Sequence, residues 1–221
     1  MKTIGIFQLG QKVFDCYEFN GKWLDSFGNP EKNFSALISG DSGNGKTDFC
    51  VKFAKHMAQF VKVLYVSHEE GISKSIQEAF QRNNMHEVSG KVILAEKATV
   101  DEIIAYLKKR NSPGFVIIDS LDYMNLTTDQ YKLIRANCPK KAIAIISWSK
   151  NNKPKSQYAK DIEFMADIKI NVSKFKAYAR CRYGGNTPFV IWNKSATHSN
   201  TSNETIRIET NVKQGELTLT E

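Results

Sequence analysis

Ser35-Ala-Leu-Ile-Ser-Gly-Asp-Ser-Gly-Asn-Gly-Lys-Thr47 is the stretch on which the reading of this 221-residue chain turns. Residues 36–39 are apolar or small and read as a short buried strand. They run into Gly40-x-x-x-x-Gly45-Lys46-Thr47, the full P-loop pattern. Gly40, Gly43 and Gly45 are expected to take positive φ and bring the backbone close to a ligand. The successive N–H groups from Gly40 through Asp41, Ser42, Gly43, Asn44 and Gly45 then form a concave cradle for phosphate oxygens. The positive end of the following helix adds to it. Lys46 supplies a mobile point charge for the β- and γ-phosphates, and Thr47 a hydroxyl for Mg²⁺. The stretch reads as a nucleotide-phosphate site.

Composition bounds the rest. The hydrophobic fraction of 41% and charged fraction of 24% are those of a globular α/β domain with ample length for one core. The amino terminus carries no signal-type apolar region and no run of apolar residues is long enough to span a bilayer, so cytoplasmic residence without membrane attachment is expected. Cys16, Cys50, Cys138 and Cys181 lack metal-site or disulfide spacing and read as buried thiols. A formal net charge of +8 suits a polyanionic partner such as nucleic acid, and equally a protein that is merely soluble and basic.

Along the chain, residues 4–7 and 12–19 read as two short strands within a small amino-terminal cap, residues 1–33. Phe49, Phe53, Met57 and Phe60 recur at helical spacing, which predicts a helix from Lys46 to about Val61. Lys62-Val-Leu-Tyr-Val-Ser67 is a buried strand ending in His68-Glu69-Glu70-Gly71. A helix with Ile72, Ile76 and Phe80 inward, a strand at residues 91–94, and a helix opened by the capping box Thr99-x-x-Glu102 follow. Phe115-Val-Ile-Ile-Asp119 and Ala142-Ile-Ala-Ile-Ile-Ser147 are further buried strands around a helix at about 128–136. Strands alternating with helices predict an α/β fold with a mostly parallel sheet. Residues 167–172, 177–182 and 189–192 alternate like antiparallel strands added in the last third. Residues 34–193 make up the core, and residues 194–221 are expected to form a polar loop and a terminal hairpin at 205–209 and 216–220.

A triphosphate site needs a second handle on Mg²⁺, and Asp119 closes an apolar strand in the manner of a Walker B aspartate. The next residue is Ser120, not a second carboxylate, so a hydrolytic base has to come from a neighbouring strand end, where Glu69 and Glu70 stand. The set of P-loop, Tyr65-Val-Ser-His-Glu69-Glu70 and Phe115-Val-Ile-Ile-Asp119-Ser120 resembles the RecA/RadA/DnaB class of P-loop ATPases over roughly residues 34–192.

That resemblance implies an ATP-hydrolysing core with Glu69 as catalytic glutamate and Glu70 in reserve. It implies a sheet ordered as P-loop strand, post-Walker B strand, Asp119 strand, Glu69 strand and residue-91 strand. Arg180-Cys-Arg182-Tyr-Gly184 is similar to the Lys-x-Arg-x-Gly strand of the class, so Arg180 and Arg182 would reach a neighbouring subunit's γ-phosphate within a ring or filament. The class places a sensor after the Walker B strand; here Ser147 or Ser149, around Trp148, replaces the usual glutamine. It also binds DNA through the loop that follows, which here carries Lys150, Lys153, Lys155, Tyr158 and Lys160, a set suited to backbone tracking with stacking. A role in replication or recombination beside a separate partner protein follows from the same resemblance. The alternatives are a nucleotide-switched scaffold, a signalling ATPase without DNA, and a small-molecule kinase, whose arginine-rich lid is missing between Asp119 and Ala142.

Overall fold

The computed structural model describes residue 1, residues 3–150 and residues 153–192. In chain order the elements are α1 (Ile6–Gly10), α2 (Gly21–Phe27), β1 (Ser35–Gly40), α3 (Lys46–Met57), β2 (Val63–Ser67), α4 (Lys74–Arg82), β3 (Val92–Glu96), α5 (Val100–Leu107) and β4 (Phe115–Asp119). Then follow α6 (Leu121–Met124), α7 (Thr128–Asn137), β5 (Ala142–Lys150), β6 (Lys153–Pro154), α8 (Gln157–Met165), β7 (Ile168–Ser173), β8 (Lys176–Cys181) and β9 (Phe189–Val190).

One sheet organises them, in the order β3-β2-β4-β5-β1-β7-β8-β9, with β6 hydrogen-bonded to the tip of β5. Strands β3, β2, β4, β5, β1 and β7 run parallel; residues 167–172, expected among the antiparallel strands, instead join the parallel set as β7 beside β1, and only β8 and β9 are antiparallel additions to this row. The order expected for the first five strands is the one observed. Strands β1, β2 and β4 are buried along their whole length, which is why they read as unbroken apolar runs. Helices cover both faces and divide the core into two clusters. Phe34, Phe49, Phe53, Met57 and Phe115 lie on one side; Ile103, Leu107, Tyr131, Ile134 and Ile162 lie on the other. The capping box at Thr99 and Glu102 forms as the sequence indicated.

Two local expectations are corrected. Residues 4–7 and 12–19 form no paired strands: Ile6–Gly10 is a short helix, and the second stretch makes one isolated bridge, Cys16 to Glu31. Tyr17 and Phe19 alternate inward because they cap the aromatic cluster of Trp23, Phe34, His56 and Phe60, not because they pair in a ladder. Their period of two was genuine, and its cause was side-chain packing. The α4 helix begins after Ser73, whose hydroxyl caps it, so Ile72 stands outside it and exposed. The expected terminal hairpin at 205–209 and 216–220 lies outside the described residues.

Of the cysteines, Cys50 and Cys138 are buried and Cys16 and Cys181 half-buried, all as free thiols. Among the described residues no helix is long and apolar enough to cross a membrane.

Candidate active site

The carboxyl ends of β1, β2, β4 and β5 converge on one end of the sheet, the usual place for a ligand in a parallel α/β fold. A cavity of about 440 Å³ opens there, lined by Ser42, Gly43, Gly45, Lys46, Thr47, Glu69 and Asp119, among others.

The P-loop is built from local constraints. Gly43 and Gly45 have φ of 76° and 92°, left-handed values that side chains rarely adopt. Gly40 has a different reason for being glycine, which corrects the expectation of positive φ. A Cβ there would lie 2.4 Å from the Val172 carbonyl oxygen of β7, so the small residue permits close strand approach. Asp41 and Asn44 do not line the cavity and hold the loop instead. The Ser149 hydroxyl donates to Asp41 Oδ1 at 2.6 Å, and the Lys174 N–H donates to Asn44 Oδ1 at 3.0 Å. Lys46 Nζ is parked on the Gly40 and Asp41 carbonyls at 2.8 and 3.1 Å.

Asp119 lies opposite Ser67 in the β2–β4 register and is almost fully buried. Burial pushes its carboxyl up to about 6, against the pull of a hydrogen bond from Tyr65 and the charge of Lys46. Tyr65 Oη donates to Asp119 Oδ2 at 2.6 Å. The hydroxyls of Ser67 and Ser120 beside it are buried without a partner among the described residues, and the Asp119–Ser120 peptide is cis. A buried carboxylate flanked by orphan hydroxyls, facing Thr47 across an open cavity, fits a site for a hard cation bound jointly with phosphates.

Glu69 and Glu70 both line the cavity. Desolvation raises the Glu69 carboxyl, Glu70 adds to that, and Lys46 and a hydrogen bond from the Trp148 side chain oppose it. Glu70 is held by the Ser75 hydroxyl at the start of α4. Trp148 is itself fixed: its backbone N–H donates to Asp122 Oδ2 at 2.7 Å and its ring meets Tyr123 edge-on. Trp148, between the two serines that stand where a glutamine was expected, thus places its indole beside Glu69. His68, next to it, bonds the Ala98 carbonyl at 3.0 Å and points away from any catalytic role.

Arg180 and Arg182 are not brought to this cavity. Register pairs Cys181 with Ile168, and Ile168 with Ala36 near the start of β1, placing both arginines toward the end of the sheet opposite the P-loop. Arg182 ion-pairs with Asp167 at 3.3 Å, and Arg180 is exposed. The lysine stretch is likewise not one loop. Lys150 and Lys153 pair across a β5–β6 hairpin, while Tyr158 and Lys160 belong to α8 behind the Ser156 cap. All four lysines and Tyr158 are exposed, and Lys155 Nζ stands 5.5 Å from the Trp148 ring.

A P-loop after the central strand β1, a buried aspartate ending β4 and an acidic pair ending β2 give the strand order a functional polarity. The crystal structure of the flagellar accessory protein FlaH from Methanocaldococcus jannaschii superposes with a TM-score of 0.57, covering 80% of this chain and 95% of that one at 15% identity. The chain has a RecA-type P-loop fold. A KaiC-like protein from the hyperthermophilic archaeon Pyrococcus horikoshii OT3 is similar at a TM-score of 0.49 and 18% identity, over 73% of this chain and 90% of that one. No family model and no curated protein matches the chain at a significant level.

Several residues that line or brace the cavity carry no assigned role in the sequence: Tyr65, Trp148, Asp48, Arg82, Phe175 and Trp192. Only Tyr65 left a signal, since a tyrosine in a fully buried strand needs a partner for its hydroxyl. Asp48 is buried on α3 and receives two hydrogen bonds of 2.9 Å from Arg82 and one of 2.8 Å from Asn83, tying α4 to the P-loop helix.

Proposed function

We propose that this chain is a Mg²⁺-dependent ATPase that works as a head-to-tail oligomer and couples turnover to nucleic-acid binding. The observation that carries the reading is the meeting of Lys46, Thr47, Glu69 and Asp119 in one cavity at the strand ends. The P-loop amides would hold the β- and γ-phosphates, and Lys46 would leave its carbonyl partners to neutralise charge developing on the transferred group. Mg²⁺, held by the Thr47 hydroxyl and the Asp119 carboxylate, would supply electrostatic stabilisation of the phosphate oxygens. Tyr65 orients Asp119, so one carboxylate oxygen is committed to the phenol and the other is left for the site. Glu69 is the base that orients and deprotonates the attacking water; Trp148 fixes its carboxylate. Arg180 and Arg182 complete the site from an adjacent subunit, which requires a heterologous interface and hence a ring or filament.

The nucleic-acid half rests on the +8 charge and on Lys150, Lys153 and Lys155, which extend from the same strand end as the cavity, with Lys160 and the exposed Tyr158 ring on the following helix. ATP turnover measured with and without single- and double-stranded DNA at low salt tests both halves. Glu69→Gln is expected to abolish turnover and leave ATP binding intact. Mixing Glu69→Gln with Arg182→Ala protein is expected to restore part of the activity if the arginines act in trans. ATP binding without turnover would establish a nucleotide-switched scaffold instead, and turnover indifferent to DNA would remove the nucleic-acid assignment.

A further inference from the structure

The cavity has an aromatic lining that hydrolysis chemistry does not use. Phe175 and Trp192 line the cavity together with Gly45 and Asp48, and Arg82 and Glu78 belong to the same lining. The two rings sit 5.2 Å apart between centroids at 36°. Arg82, clamped by Asp48, stands with its guanidinium 5.8 Å from the Trp192 ring and fixes that side of the wall. Phe175 reaches down onto the P-loop itself, where its ring would lie 3.2 Å from a Cβ built on Gly45.

The backbone that delivers Phe175 is unusual for its sequence. Ser173 pairs with Lys176, so Lys174 and Phe175 are the two residues of a tight β7–β8 hairpin turn. Both are left-handed, with φ of 49° and 58°. Two consecutive left-handed residues are the pattern of a turn that favours Asn-Gly. A bulky aromatic at the second position is a conformational outlier, and such outliers concentrate where a site requires them. The hairpin is also pinned to the phosphate loop by the Lys174 N–H to Asn44 bond and to the residue just after β9 by the Ile191 N–H to Phe175 carbonyl bond of 2.9 Å. A glycine would make this turn at less cost; what phenylalanine adds is a flat apolar surface on the cavity wall.

We infer that Phe175 and Trp192 form the nucleobase platform of the site, and that the ligand class it selects is the purine nucleoside triphosphates. This rests on the reading that the P-loop cavity holds a triphosphate. Phe175 and Trp192 line the same cavity as Gly43 to Thr47, and Phe175 packs against Gly45, so a base attached to phosphates held there meets an aromatic surface within the cavity. Stacking on an aromatic wall rewards ring area, which favours two-ring bases over one-ring bases.

The test is calorimetric titration of the full chain with Mg²⁺ and ATP, GTP, CTP or inorganic tripolyphosphate. Wild type is expected to bind ATP and GTP roughly tenfold more tightly than tripolyphosphate, the range that loss of one stacked base covers, with CTP between them because its single ring stacks less. Trp192→Ala and Phe175→Gly should each weaken ATP by roughly tenfold and leave tripolyphosphate binding unchanged. Phe175→Gly supplies the residue the turn geometry prefers, so cooperative thermal unfolding should be retained while the ring is lost. ATP affinity unchanged in both variants, or equal affinities for ATP and CTP in wild type, would overturn the platform while leaving the P-loop reading standing. Failure of wild type to bind either ATP or tripolyphosphate would overturn both.

Discussion

Asp119 is expected to weaken the metal-free, nucleotide-free protein that it equips for function. Its carboxyl sits near 6 in the folded chain against an ordinary value of 3.8, the cause being burial. A raised carboxyl binds protons more tightly folded than unfolded, so its contribution to stability falls as pH rises from about 4 to about 6 and then stays level. At about 1.4 kcal/mol per pKa unit, the penalty above pH 6 is about 3 kcal/mol. Asp119→Asn keeps the shape and an acceptor for Tyr65, and removes the buried charge. The variant should therefore melt higher than wild type at pH 7.5, by roughly 5–10 °C for a chain of this size. The gap should shrink steadily towards pH 4. Scanning fluorimetry or circular dichroism from pH 4 to 8, without Mg²⁺ or nucleotide, reads it directly. A variant that melts at or below wild type at pH 7.5, or a gap that does not change with pH, would refute the reasoning. The same substitution should abolish Mg²⁺-dependent turnover, which separates the stability of the empty site from its use.

Two further outcomes follow from single contacts. Gly40→Ala places a Cβ 2.4 Å from a backbone oxygen of β7 and should destabilise the fold by about 1–3 kcal/mol, visible as a lower urea midpoint with unchanged slope. Trp148→Phe removes the indole donor that favours the charged form of Glu69, so ATP affinity should hold while turnover falls about tenfold and the acid limb of the pH–rate profile moves up. An unchanged limb would mean that Trp148 does not act through Glu69.

How much of this was legible in the sequence follows from how locally each feature is encoded. The P-loop, the Asp119 strand and the Thr99 capping box are contiguous patterns whose chemistry is complete within a few residues, and each appears where it was expected. The parallel strand order followed from these motifs through the family resemblance. The amino-terminal segment was misread because Tyr17 and Phe19 alternate for the sake of an aromatic cluster that includes Phe34 and Phe60, and period two cannot distinguish that from a ladder. The cavity's aromatic wall was invisible for a different reason. Phe175 and Trp192 lie far along the chain from Gly45, and only the β7–β8 hairpin turning back over the P-loop brings them together. Trp148 reads in the sequence only as the residue between two serines; its nearness to Glu69 depends on the side-by-side placement of β2, β4 and β5, which no spacing records.

The central claim, that the glycine-framed amides and Lys46 grip a triphosphate, is tested most directly by titrating Mg²⁺-ATP into wild type and Lys46→Ala protein while following the heat of binding. One site per chain in wild type and affinity at least about tenfold weaker in Lys46→Ala is the predicted result, from loss of a charge-assisted contact. Equal binding by the two proteins, or none by wild type, would contradict it.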